Sequence, residues 1–174
     1  MKFFMKKSVR LIIFLLASAL LVELDLITKI IARANLEGKS EGFSIIPGVL
    51  KLFYLENQGA AWGILNGKLN FFIVLTCLIV LVLVYIVIKM PADKKYNYLF
   101  FTIIFLTSGA IGNFIDRIRL SYVRDFIYFE LIDFPVFNVA DIYVTLSVIV
   151  LIILIFFVYK DEDFAFLSRK RESN

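Results

Sequence analysis

The chain has 174 residues, of which 61% are hydrophobic and 20% charged, with a formal net charge of +4. A soluble domain is about half apolar and a quarter charged, so a water-soluble enzyme, a disordered chain and a fibrous repeat are all excluded. With no His and a single Cys, Cys77, the chain offers no internal disulfide, no Cys-rich zinc site and no imidazole base. Hydrolytic chemistry falls to carboxylates, Lys, Ser, Thr or Tyr.

In chain order, the first element is an apolar run with two readings. Lys2, Lys6, Lys7 and Arg10 precede an uncharged stretch from Leu11 to Val22 that contains Ala17-Ser18-Ala19, a pattern resembling a secretory signal peptide. Continuing through Ile27, Ile30 and Ile31 gives instead a retained span over 11–31, with Glu23, Asp25 and Lys29 toward its far end. The retained span is the preferred reading. Residues 32–68 form an outward segment, in which 49–57 is rich in β-branched and aromatic residues between Pro47-Gly48 and Gly59 and predicts a strand or hairpin.

A second span covers 69–88 without a formal charge. At about 1.5 Å per residue, such a helix crosses the roughly 30 Å of hydrocarbon. A short inner hairpin over 89–95, closed by Pro91, leads to a third span over 96–115. The second outward segment, 116–136, contains a strand-like stretch at 123–129. A fourth span over 137–158 follows if Asp141 is admitted.

Residues 1–10, 89–95 and 159–174 together carry eleven Lys and Arg, and the opposite side carries seven. The excess predicts cytoplasmic termini, with basic ends acting as anchors beside anionic membrane lipids and not as a nucleic-acid surface. The expected fold is a mainly α integral membrane protein: one membrane-embedded domain over 1–174, a four-transmembrane-helix bundle with a small extracytoplasmic β-sheet and a short interfacial segment.

An ionisable side chain inside a bilayer costs something on the order of 3 kcal/mol. Yet Asp25 near the end of helix one, Asp116 and Asp125 after helix three, and Asp141 in the first turns of helix four all fall near the outer interface. Each has a bland alternative. Asp141 is also the acid a helix dipole favours, Asp125 a loop acid, Asp25 and Lys29 an i, i+4 ion pair, and Asp116-Arg117 an interfacial pair. Gly109-Ala110-Ile111-Gly112 suits close helix packing. Asn113 lies in the outer end of the span and needs partners, and Asn57-Gln58-Gly59-Ala60-Ala61 reads as a turn. Two carboxylates meeting in a poorly hydrated pocket do not both ionise, which supplies an acid and a base at neutral pH.

These stretches, in order, resemble the lipoprotein signal peptidases (signal peptidase II), the bacterial membrane aspartic peptidases. Asp25-Leu26-Ile27-Thr28-Lys29 resembles D-x-x-[ST]-K, and Asn57-Gln58-Gly59-Ala60-Ala61-Trp62-Gly63 resembles N-x-G-[AI]-[AF]-[WF]-[GS]. Gly109 to Arg117 resembles G-[GA]-x-G-N-[LF]-[IL]-D-R, Val123 to Ile127 resembles V-V-D-F-[IL], and Phe137 to Asp141 resembles F-N-[VIL]-A-D.

The resemblance implies that Asp125 and Asp141 are the catalytic dyad. It also implies that Asp25, Lys29, Asn57, Gly59, Gly109, Asn113, Asp116, Arg117 and Asn138 bind substrate or support its site. Further expectations are a diacylglyceryl-modified prolipoprotein signal peptide as substrate, cut before the lipidated Cys, globomycin as inhibitor, no cofactor or metal, and a monomer. The chain would sit in the bacterial cytoplasmic (inner) membrane with its active site near the outer leaflet, and helix one would be retained. Two residues depart from the pattern. Arg124 stands where the family usually has an apolar residue, either snorkelling to headgroups or lowering the pKa of a neighbour, and Glu23 adds an acid to helix one. The rival readings are a small transporter or ion-pathway subunit relaying through Asp25, Asp116 and Asp141, which predicts acids at several depths, and a non-catalytic scaffold.

Overall fold

A computed structural model describes residues 7–59 and 67–167. Helix α1 spans Lys7–Leu36, α2 Leu69–Lys89, α3 Asn97–Leu120 and α4 Val139–Ile153, the last running on as a π turn over Leu154–Val158. Four helical spans are long and apolar enough to cross a membrane, the third counted from Lys94 and the fourth through Val158.

Solvation by lipid explains which faces are buried. On α1 the buried residues Arg10, Phe14, Ser18, Val22, Asp25, Lys29, Ala32 and Leu36 recur every three to four positions. Leu16, Leu20, Leu24, Ile27 and Ile31 point outward. The polar groups therefore turn inward and the apolar ones outward, the reverse of a soluble helix. Helix α2 buries only Leu83 and Val87, both in its second half.

The ends of the helices away from the sheet are tied together by polar contacts around a core of Phe14, Leu83, Val87, Phe100, Ile103 and Ile104. Arg10, 2% exposed, donates to the Pro91 carbonyl, to the Asp93 carbonyl at 2.7 Å and to Asn97 Oδ1 at 2.8 Å, and lies 5.4 Å from the Phe100 ring centroid. Arg10 is thus not a lipid-facing anchor: its guanidinium donates to the Pro91 and Asp93 carbonyls of the turn between α2 and α3. A 3-10 stretch, Asp161–Leu167, closes over this end, where Asp163 pairs with Lys95 and its carbonyl accepts from Tyr96 Oη at 2.8 Å.

Outside the helices, β1 (Phe43–Ile46), β2 (Leu50–Asn57) and β3 (Val123–Phe129) form an antiparallel sheet in the order β1-β2-β3. The strands expected at 49–57 and 123–129 are both present; β1 was not anticipated. Leu52 pairs with Ile127 but Leu55 with Asp125, so two residues of β2 oppose one of β3. Such a bulge re-aims the neighbouring strand. Ala32, Leu36 and Phe126 pack beneath the sheet.

The helix limits differ from expectation at the charged ends. The third helix runs to Leu120, not 115, so Asp116 and Arg117 lie within it and not in the outward segment over 116–136. The fourth starts at Val139, not 137, and the first extends from 11–31 to Lys7–Leu36. Hydropathy stops a span at its first charge, whereas a charge that has found a partner does not stop the helix.

Candidate active site

The beginning of α4 fixes Asp141. Asn138 caps the helix: its Oδ1 accepts from Asp141 N at 3.0 Å, and Asp141 Oδ2 accepts from Asn138 N at 3.1 Å, a reciprocal capping box. The other Asp141 oxygen accepts from Asn113 Nδ2 of α3 at 2.7 Å. Segment 133–138 runs back along β3, with Phe137 bonded to Ile127 in both directions at 2.8 and 2.9 Å. That contact brings Asn138 to Asp125, whose Oδ1 accepts from Asn138 Nδ2 at 2.6 Å. Asp125 Oδ2 accepts from Asn57 Nδ2 at 2.9 Å, and Asn57 Oδ1 in turn accepts from Gly59 N at 2.9 Å.

Each of these asparagines is oriented by a group that only donates. Gly59 N holds the oxygen of Asn57, Asp141 N that of Asn138, and Lys29 Nζ that of Asn113 at 2.8 Å. Their amide NH₂ groups are left to face the two carboxyls. Asp125 is 1% exposed, and burial, followed by the nearby charge of Asp141, pushes its carboxyl up to about 7 despite the Asn57 and Asn138 donors.

Beneath the two acids lies a balanced charge cluster. Lys29, fully buried, donates to Asp25 Oδ2 at 2.7 Å and lies 3.6 Å from Asp116 Oδ2. Asp25 Oδ1 accepts from Ala140 N at 2.9 Å, joining α1 to α4. Asp116 accepts from Arg124 three times: from its backbone N at 3.0 Å, Nε at 3.1 Å and Nη2 at 2.5 Å. Two cations thus face two acids, which lets charge persist in a dry interior. Glycine makes the approach possible. A Cβ on Gly112 would lie 2.4 Å from Asp25 Oδ2, and one on Gly109 2.5 Å from the Ala140 carbonyl oxygen.

Above the acids opens a cavity of about 470 Å³, with Val123, Phe129, Phe134 to Phe137, Ile142 and Leu146 as apolar walls. Phe137 stacks on Phe129 at 5.7 Å and meets Phe134 edge-on at 5.8 Å. A cavity of this size is in the range of small-molecule binding sites. Arg117 lines it, donating to the Gly59 carbonyl at 3.3 Å and lying 4.7 Å from the Phe72 ring centroid. Among the described residues no group of three or more acids or cysteines is arranged to hold a metal ion.

Of the residues expected at the site, Asn57, Gly59, Asn113, Arg117, Asp125 and Asp141 line the cavity. Asp25, Lys29, Asp116 and Asn138 lie behind them in the hydrogen-bond network, and Gly109 faces α4. Ala60 to Gly63 of the second motif fall outside the described residues. Asp116 and Arg117 do not pair with each other: successive helix positions point apart, and Asp116 takes Arg124 and Lys29 instead. Arg124 thus does not snorkel to the headgroups: its side chain turns inward to pair with Asp116. Sequence reasoning missed its partner, although a charge inside an apolar strand was a signal that it had one. Phe72 was missed without any such signal.

A family model described as signal peptidase (SPase) II matches residues 17–157. The lipoprotein signal peptidase of Enterococcus faecalis (strain ATCC 700802 / V583) is 43% identical over 144 residues, covering 82% of this chain and 87% of its own. That of Streptococcus pyogenes serotype M5 (strain Manfredo) is 41% identical over 154 residues, covering 87% and 96%. A bacterial membrane enzyme solved by the in meso method at 2.3 Å resolution superposes with a TM-score of 0.73 at 35% identity, over 92% of this chain and 94% of that one. A second, solved by the same method at 1.9 Å, gives 0.71 at 40% identity over 84% and 94%. The chain belongs to the signal peptidase II family and is a multi-pass membrane peptidase.

Proposed function

We propose that this peptidase removes the signal peptide from diacylglyceryl-modified prolipoproteins, cutting just before the lipidated Cys, with Asp125 and Asp141 as its catalytic pair. The observation that carries the reading is that one residue, Asn138, hydrogen-bonds both carboxyls at the floor of one cavity. One Asp takes a proton from water, which attacks the scissile carbonyl, while the other protonates the carbonyl oxygen. The gem-diol then collapses as the leaving amine takes up a proton. A carboxyl raised to about 7 holds and releases its proton near neutral pH, as an acid and base acting in turn require.

The remaining residues fit the same reading. The Arg117 guanidinium and the Asn57 amide border the cavity where substrate carbonyls would lie. The protein resides in the bacterial cytoplasmic (inner) membrane with both termini cytoplasmic and the pair just under the outer headgroups. There the substrate's acyl chains stay among membrane lipids while its peptide reaches water. Globomycin occupies the same cavity.

The test uses purified protein in detergent with one precursor in lipid-modified and unmodified forms. The expected result is cleavage of the modified form alone, with mass spectrometry identifying the lipidated Cys as the new N-terminus. Equal cleavage of both forms, or a cut elsewhere, would contradict the substrate assignment.

A further inference from the structure

We propose that Lys29 is a positioning residue for catalysis, which fixes the amide polarity of Asn113 and through it the carboxyl of Asp141. The proposal rests on the reading of Asp125 and Asp141 as the catalytic pair, and it gives Lys29 a role other than substrate contact.

Lys29 is fully buried and contributes nothing to the cavity lining, so substrate does not reach it. Its ammonium donates to two acceptors, Asp25 Oδ2 at 2.7 Å and Asn113 Oδ1 at 2.8 Å, and lies 3.6 Å from the charge of Asp116 Oδ2. An ion pair with Asp25, one turn away on the same helix, needs only the first of these. The second crosses to α3 and falls on the residue whose other end holds Asp141 Oδ1 at 2.7 Å.

Lysine has no acceptor, and this makes the contact directional. If the Asn113 amide turned over, its NH₂ would face the ammonium and its oxygen would face the carboxyl of Asp141, two repulsive contacts in a dry interior. Asn138 Nδ2 also reaches Asn113 Oδ1, at 3.1 Å, but its shorter bond, at 2.6 Å, goes to Asp125. Lys29 is therefore the full charge that sets which way Asn113 points. With Oδ2 already held by the backbone of Asn138, the plane of the Asp141 carboxyl is fixed from both ends.

Lys29→Met alone leaves Asp25 buried without its cation and endangers folding. The informative variant pairs it with Asp25→Asn, which removes one charge of each sign and leaves a side-chain oxygen to accept from Ala140 N. This pair is made in the natural chain and in an Asn113→Ala background. The wild type and Asp125→Asn are controls, and unfolding temperature is the check on folding. With lipid-modified prolipoprotein as substrate, the paired change lowers kcat by about a hundredfold with KM little altered, the scale of a small misplacement of a reacting group. In the Asn113→Ala background it costs no more than roughly threefold, because the two act through one another. The same factor in both backgrounds, or a change confined to KM, overturns the positioning role while the catalytic pair stands. An active Asp125→Asn overturns the pair itself.

Discussion

At the scale of single residues, the site rests on hydrogen-bond direction. Three asparagines present only their amide NH₂ groups to two acids, because each oxygen is already held by an obligate donor. Four acids near one interface were legible in the sequence, but the choice of Asp125 and Asp141 among them came from the family resemblance. The direction of Asn113 was not legible, because it depends on Lys29, which only the fold brings to it, whereas Asn57 and Asn138 are turned by backbone N–H groups two and three residues on. The Asp125 carboxyl makes a pH prediction. Its value in the folded protein, about 7, lies above the ordinary 3.8, so the folded state binds this proton more tightly than the unfolded one. The associated stability is fully present below about pH 4, declines as pH rises and is lost above about 7. Thermal unfolding between pH 4.5 and 7.5 should therefore fall more steeply in the wild type than in Asp125→Asn. Parallel profiles would contradict the raised value.

At the scale of elements, close packing of α1, α3 and α4 sets the distances on which those hydrogen bonds depend. Gly112 and Gly109 permit it, and the small-residue stretch was read in the sequence as a packing feature, which the geometry bears out. Alanine is favoured over glycine in a helix by about 1 kcal/mol. At Gly112 its methyl would lie 2.4 Å from Asp25 Oδ2, and overpacking of this kind costs roughly 1–3 kcal/mol. Gly112→Ala should therefore lower the unfolding temperature in detergent. An unchanged or raised temperature would show that α1 yields easily. Element limits were less legible than the elements. The helix α3 continues past Asp116 and Arg117 because Arg124, Lys29 and Gly59 receive their charges, and two of these partners, Lys29 and Gly59, are far away in sequence. Strand β1 escaped notice because Phe43, Ile45 and Ile46 are all exposed, so no alternation marks it.

At the scale of the molecule, the four spans were plain from composition, and the excess of basic residues in the inner segments supplied a direction. In that direction the sheet and cavity face outward while the 89–95 turn and the 161–167 stretch face the cytoplasm. Single cysteines in a Cys77→Ser background test it: a membrane-impermeant maleimide on intact cells should label Lys39→Cys and spare Lys94→Cys, both exposed positions. The reverse pattern would invert the protein.

Asp125 and Asp141 are proposed to work as one unit. The most direct test of this proposal is kcat on lipid-modified prolipoprotein for Asp125→Asn, Asp141→Asn and the double variant, each shown to be folded. Groups acting together are not additive, so each single change should cost about a thousandfold or more and the double change little beyond that. Turnover within about tenfold of the wild type in either single variant, or losses that multiply in the double, would contradict it.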